Sequence, residues 1–400
     1  MTLSNKKANC TDHIDRISDL PCNVIDNILT YLNIQELVCT SLLSGKWRYM
    51  WNTVTELGFF EEFFSRFEDL DDPSPEICRI ITDVLFQHNV PIYSFTLDIP
   101  SFSNIMITAE YFNKWIRFLS RRGIKDLAIL NYGIFCDKMP SHVFSCQELT
   151  HFWLSGFNVS VPPNFCGLKN LLDLDLQNNT YEFGALESFI YGCPLLKVLS
   201  IQIFGDMKSI CLKKAKNLID LRLIVNQESV SGLIKSLPNI QRLTLESYSY
   251  KTLYADIISP SHLISLKHLK LHFVNLDERG ELLYIVSVLK GASNLVELVI
   301  QCNNGNGEQE PDQLEGLEHN SCCFSQLQTV NIRVGTTDFK HAMSLIRFIL
   351  AKSSSLKTLA FKIDFGHKKL DPIVLLSISQ DLLLMERASE RARIEFTHRE

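Results

Sequence analysis

An apolar triplet with the spacing apolar-x-x-apolar-x-apolar recurs ten times along this chain, and its rhythm limits the folds open to it. It stands at Ile124-Leu127-Ile129, Leu149-Phe152-Leu154, Leu171-Leu174-Leu176, Leu196-Leu199-Ile201 and Leu218-Leu221-Leu223. It continues at Ile240-Leu243-Leu245, Leu266-Leu269-Leu271, Leu295-Leu298-Ile300, Leu327-Val330-Ile332 and Leu356-Leu359-Phe361. With 46% of the 400 residues hydrophobic, a single triplet says little, because chance supplies about one match per ten positions. The spacing is what informs. Successive first positions lie 25, 22, 25, 22, 22, 26, 29, 32 and 29 residues apart, a period suited to leucine-rich repeats, irregular and longer toward the C-terminus.

In such a repeat the end of each triplet forms a short strand whose alternate side chains point into a core. Each unit buries its leucines against the next and cannot stand alone, which accounts for 57 leucines in the chain. Asn179, Asn226 and Asn303 each stand three residues after a triplet, where a side-chain amide satisfies backbone groups at the bend. Segments 184–192, 229–237, 279–291 and 339–351 have helical composition and are expected as an outer layer. The expected class is α/β, an open solenoid; a closed α/β barrel also alternates strands and helices but needs eight strands. Ile92-Phe95-Leu97 adds a degenerate first repeat.

Ahead of the repeats, residues 15–51 read as helices. Pro21 suits a first helical turn, and Val24, Ile25, Ile28, Leu29 and Leu32 fall at helical spacing. Asn33 with Glu36 has the form of a capping box opening a second helix through Leu37, Val38 and Leu42. A third short helix is expected near Ser44, carrying Trp47, Met50 and Trp51. About forty residues bury too little surface to be stable alone, so this block needs the rest of the chain or a partner. Residues 54–90 are expected as a helical connection, with Phe59, Phe60, Phe63, Phe64 and Phe67 packing against the first repeat.

The pattern Leu20-Pro21, Ile28-Leu29, Leu32, Ser41, Leu43-Ser44, Trp47-Arg48 and Trp51 resembles the F-box. Residues 345–363 and 382–396, with Arg387-Ala388-Ser389, resemble the FBD segment. In this order, with the repeats between them, they make the chain similar to the plant F-box/FBD/leucine-rich-repeat family. The resemblance implies an N-terminal three-helix F-box, an irregular leucine-rich-repeat solenoid and an FBD-like C-terminal cap. The expected divisions are a flexible tail at 1–13, the F-box at 14–53, the connection at 54–90, the solenoid at 91–338, and the last repeat with its FBD-like segment at 339–400. It also implies a substrate-recognition subunit of an SCF-type cullin–RING ubiquitin ligase. Leu20, Pro21, Ile28, Leu29, Leu32, Leu43 and Trp47 would bind a Skp-family adaptor, and the repeats would bind a target protein. A repeat scaffold without ubiquitin transfer is the alternative.

Lys and Arg number 39 against 45 Asp and Glu, a net charge of −6, which argues against a nucleic-acid partner held by bulk charge. No secretory signal and no run long enough for a membrane span is seen, and the twelve cysteines form no C-x-x-C pair or zinc spacing. The expected setting is the cytoplasm, the nucleus or both, with no membrane partner. The sequence shows no phosphate-binding loop and no nucleophile elbow; the glycines at 303–311 read as a surface loop, one that extends to 320. His268 and His272 flank a strand without a third ligand. No catalytic residue, metal site or cofactor is therefore expected. What remains is the outward strand face, where Trp153, Arg222, Arg242, His268, Lys270 and His272 are the target-binding candidates, Trp and Arg being common interface anchors.

Overall fold

Every triplet ends in a strand, and the strands stack side by side in sequence order. A computed structural model describes residues 17–101, 104–133, 137–203, 212–225, 239–247, 263–276, 279–302, 323–335, 339–364 and 371–399. The tail at 1–13, Asn226, Asn303, segment 229–237 and the loop at 303–320 fall outside the described residues. The main strands are β1 (Glu56–Phe59), β2 (Ser94–Ile99), β3 (Asp126–Asn131), β5 (His151–Ser155), β7 (Asp173–Gln177), β9 (Val198–Ile203) and β10 (Asp220–Val225). They continue as β11 (Arg242–Ser247), β12 (His268–Val274), β13 (Glu297–Cys302), β14 (Thr329–Val334), β15 (Thr358–Asp364) and β16 (Arg393–Arg399). Among the described residues these form one open sheet of 13 strands, with neighbouring strands parallel. The sheet does not close on itself, so the barrel is ruled out.

Register explains the sequence rhythm. Leu127 pairs with Phe152, Phe152 with Leu174, Leu174 with Leu199 and Leu199 with Leu221, and the row continues through Leu243, Leu269, Leu298, Val330 and Leu359. Every side chain of the ten triplets is at most 3% exposed. The first residue of most triplets closes a turn onto a residue three positions earlier, as Leu149 does onto Cys146, Leu196 onto Cys193 and Leu295 onto Ala292. Those earlier residues are buried too. The true unit is thus four buried positions, one more than the triplet.

Repeat length sets what lies behind the strand. The 22-residue step from Leu149 to Leu171 leaves room only for β6 (Phe157–Val159) and turns. The 25-residue step from Leu171 to Leu196 holds the helix Ala185–Tyr191, and the two 29-residue steps hold Arg279–Gly291 and Phe339–Lys352. These are three of the four expected outer helices. A second, narrow parallel sheet joins β4 (Asp137–Lys138), β6 and β8 (Thr180–Tyr181) behind the early strands. Gly156 makes the turn into β6: at φ +84, a Cβ there would meet the Asn131 carbonyl oxygen, so only glycine fits.

Two elements differ from expectation. Residues 54–90 are not merely a helical connection, because Glu56–Phe59 pairs with β2 and opens the sheet itself. Helices Glu61–Phe64 and Ser74–Gln87 follow. Phe59, Phe63, Phe64 and Phe67 are buried, with Phe59 6.1 Å from Phe95 between ring centroids, whereas Phe60 is exposed. The third helix of the N-terminal block is a 3-10 helix, Trp47–Thr53.

The C-terminal segment caps the sheet. Helix Pro372–Leu384 leads to β16, which pairs with β15 from Arg393 against Thr358 to Arg399 against Asp364. Arg387-Ala388-Ser389 ties this cap down: the Ala388 N–H donates to the Leu350 carbonyl at 3.0 Å, and Ser389 Oγ donates to that of Leu356 at 2.7 Å. Phe396 stacks on Phe361 at 5.7 Å. Among the described residues no helix is long and apolar enough to cross a membrane.

Candidate interaction surfaces

The N-terminal block builds one buried face and leaves another open. In helix Cys22–Leu29, Ile25 and Leu29 pack with Ile34, Leu37, Trp47 and Trp51 in the core shared with the solenoid. Asn33 Oδ1 accepts from the backbone N–H groups of Gln35 and Glu36, and Glu36 Oε2 accepts from that of Asn33, so the expected capping box is present. Ser18 and Ser44 hydroxyls bond at 2.7 Å, and the Lys46 ammonium donates to the Ser18 carbonyl. The block is joined to the solenoid by His88, whose Nε2 donates to the Val54 carbonyl at 2.7 Å and whose ring meets Trp51 edge-on. Burial holds the His88 pKa below its usual value, against the bond to Val54, which raises it.

Beside the buried stripe runs an exposed one. Val24, Ile28 and Tyr31 share a side at helical spacing, and Leu42 and Leu43 are exposed on the following 3-10 turn. Of the expected adaptor contacts, Pro21, Ile28 and Leu43 lie exposed and Leu20 and Leu32 are half-buried. Leu29 and Trp47 are each 1% exposed; this corrects their assignment as surface contacts. Their helical spacing turns them inward, and they hold the module together. Val24, Tyr31 and Leu42 are exposed neighbours absent from the expected set.

The second surface is the open face of the sheet. Its central row runs Gly58, Thr96, Ala128, Trp153, Asp175, Ser200, Arg222, Thr244 and Lys270 by register. All six target-binding candidates lie on this face, but not as one cluster. Trp153 and Arg222 are three strands apart, about 14 Å. Arg222 and Arg242 are not a free basic pair: Arg222 Nη2 lies 2.6 Å from Glu246 Oε1 and Arg242 Nε 2.6 Å from Asp220 Oδ2. Each arginine meets an acid on a neighbouring strand, a partner invisible until register is known. His268 pairs with Glu297 at 2.9 Å, and His268, Lys270 and His272 share one side of β12. Among the described residues no three His, Cys, Asp or Glu are grouped to hold a metal ion.

Trp153 is the large exposed aromatic of the early strands, at 47%. It walls a cavity of about 320 Å³ that is also lined by Ser94, Thr96, Asp126, Leu127, Ala128 and His151. His151 Nδ1 lies 2.5 Å from Asp126 Oδ1, and Thr150 Oγ1 donates to the same oxygen at 3.2 Å. On the neighbouring strand, burial first pushes the Asp173 pKa up, His151 lowers it, and Asp175 and Asp220 raise it, while burial raises that of Asp175 against hydrogen bonds from Gln177 and Ser200 and the charge of Arg222. Asp126, Ser94 and Thr96 were not singled out from sequence. The triplet frame alone marks them, since they alternate with Phe95, Leu127 and Ile129.

Comparisons with known proteins follow the same division. The F-box domain model matches residues 17–56, and the model described as FBD-associated F-box protein At5g56370, LRR repeats, matches residues 112–253. The chain is similar to F-box/FBD/LRR-repeat protein At1g13570 of Arabidopsis thaliana, 30% identical over 421 residues, 96% of this chain and 98% of that protein. It is similar to F-box/LRR-repeat protein 13 of Arabidopsis thaliana at 23% identity, over 92% of this chain and 81% of the relative. A third Arabidopsis thaliana relative, FBD-associated F-box protein At4g10400, is 26% identical over 61% of this chain and 53% of its own length. Among solved structures an internalin of Listeria monocytogenes is similar at 13% identity and a TM-score of 0.38, over 81% of this chain and 95% of that one.

Proposed function

The chain belongs to the F-box/FBD/LRR-repeat family, and from that membership we propose that it is the substrate-recognition subunit of an SCF-type cullin–RING ubiquitin ligase. In this reading the N-terminal module docks a Skp-family adaptor, and the open face of the solenoid holds a target protein. Transfer is favoured by proximity, with no catalytic residue contributed by this chain. The setting is the cytoplasm or the nucleus, where thiols stay reduced.

The observation that carries the reading is the second apolar stripe of the module. Ile25, Leu29, Trp47 and Trp51 already satisfy its core, yet Val24, Ile28, Tyr31, Leu42 and Leu43 remain exposed within 20 residues of one another. A block that served only to cover the first repeat would gain nothing from this surface. Removing residues 14–53 is a poor test, because Trp51 and His88 bind the module to the solenoid. Substitution on the exposed stripe is cleaner. Ile28→Asp with Leu43→Asp is expected to weaken adaptor affinity about thirtyfold or more, a loss of about 2 kcal/mol, with thermal unfolding unchanged. Titration with a purified Skp-family adaptor measures it. No binding by the intact chain would leave the scaffold alternative in place of the ligase.

A further inference from the structure

We propose that the cavity beside Trp153 takes a cationic side chain, a lysine or arginine, from an extended basic segment of the target protein lying across β2 to β7. This deepens the reading above, since it rests on the open face being the target surface.

Shape comes first. The central row reads Gly58, Thr96, Ala128 and then Trp153. Three small residues leave one side of the indole without a tall neighbour, so the ring stands as a wall over a floor of Ala128 and the β3 backbone at Leu127. The space of about 320 Å³ admits one long unbranched side chain. A flexible aliphatic stem can lie along such a floor while its charged head meets polar groups.

Charge chooses the occupant. The open-face positions of β1, β2, β3, β5, β7 and β9 carry Glu56, Asp98, Asp126, Asp173 and Asp175, and no lysine or arginine. His151, the one group there able to become cationic, is engaged with Asp126 through Oδ1. Burial is the first cause that raises the Asp98 and Asp173 pKa values; Glu61 adds to the rise at Asp98, and at Asp173 a lowering by His151 is followed by further rises from Asp175 and Asp220. A cation arriving here relieves that repulsion and can face the indole, the best of the aromatic rings for a cation. The far strands differ. Outward acids there, Glu297, Asp364 and Glu395, stand among the cations Lys270, Arg333, Lys362 and Arg393 on β12 to β16, so acidity without a matching lysine or arginine belongs to the half that holds the cavity. A basic segment is complementary to that half.

The test uses the full chain and a positional library of nine-residue peptides, each with one varied position in a Ser/Gly background. The expected result is enrichment of Lys and Arg at one position, with Glu and norleucine excluded. Affinity for the selected peptide is expected to fall about tenfold or more in Trp153→Ala and in Asp126→Asn with Asp175→Asn, to recover in part in Trp153→Phe, and to weaken as salt rises. Trp153 points away from the core, so unfolding temperature and adaptor binding are expected to stay as in the wild type. Equal selection of Lys and norleucine, no selection at all, or full affinity in Trp153→Ala would overturn the proposal. Saturation by free lysine or a polyamine without peptide binding would overturn it as well. Because the peptide assay contains no adaptor, its failure is separate from failure of the ligase reading.

Discussion

From the bend between β7 and β8, Asn179 ties β5 and β6 together with one side chain. Its Oδ1 accepts from the Phe157 N–H at 2.9 Å, its Nδ2 donates to the Leu154 carbonyl at 2.8 Å, and the residue is 1% exposed. Asn179→Ala strands both backbone groups in a dry site and is expected to cost about 2 kcal/mol or more in chemical denaturation. Asn178→Gly, next door, is the control: Asn178 is exposed and already left-handed at φ 51, a conformation glycine takes without strain. Its stability is expected to match the wild type, and an Asn179→Ala loss under 0.5 kcal/mol would contradict the role assigned. Spacing alone made Asn179 legible, because the bend it serves recurs at a fixed distance from the triplet. Ion pairing was not legible in the same way. Arg222 and Arg242 read as outward and basic, which they are, but Glu246 and Asp220 reach them only through strand register.

Elements at the two ends of the array show where the sequence pattern weakens. β1 is four residues long, and its flanks are helical in composition, so the period-two signal of Leu57 and Phe59 is lost in the aromatic run after it. The terminal strand is marked by Arg387-Ala388-Ser389, and the bonds from Ala388 and Ser389 explain why small residues stand there: each reaches a carbonyl of the preceding repeat. Solenoid stability is close to a sum of neighbour interfaces. Removing 386–400 strips β15 of its outer partner and exposes Phe361. Hydrogen exchange is therefore expected to lose protection in β15 first and β14 next, with β2 to β7 unchanged. Uniform loss across the sheet would mean that the array melts as one unit and that the cap is not local.

At the scale of the whole molecule, the leucine rhythm fixes an open parallel sheet with a single continuous core, and the N-terminal module is fused into that core through Trp47, Trp51 and His88. Two surfaces remain for partners, the apolar stripe of the module and the acidic early half of the sheet face. They lie on different elements, so a receptor built this way can hold both partners together. The most direct measurement is light scattering during size exclusion of the full chain mixed with a Skp-family adaptor and a fluorescent basic peptide selected as above. The account predicts one species with all three in equal stoichiometry, losing only the adaptor with Ile28→Asp/Leu43→Asp and only the peptide with Trp153→Ala. An intact chain that binds no adaptor, or that releases the peptide when the adaptor binds, would contradict it.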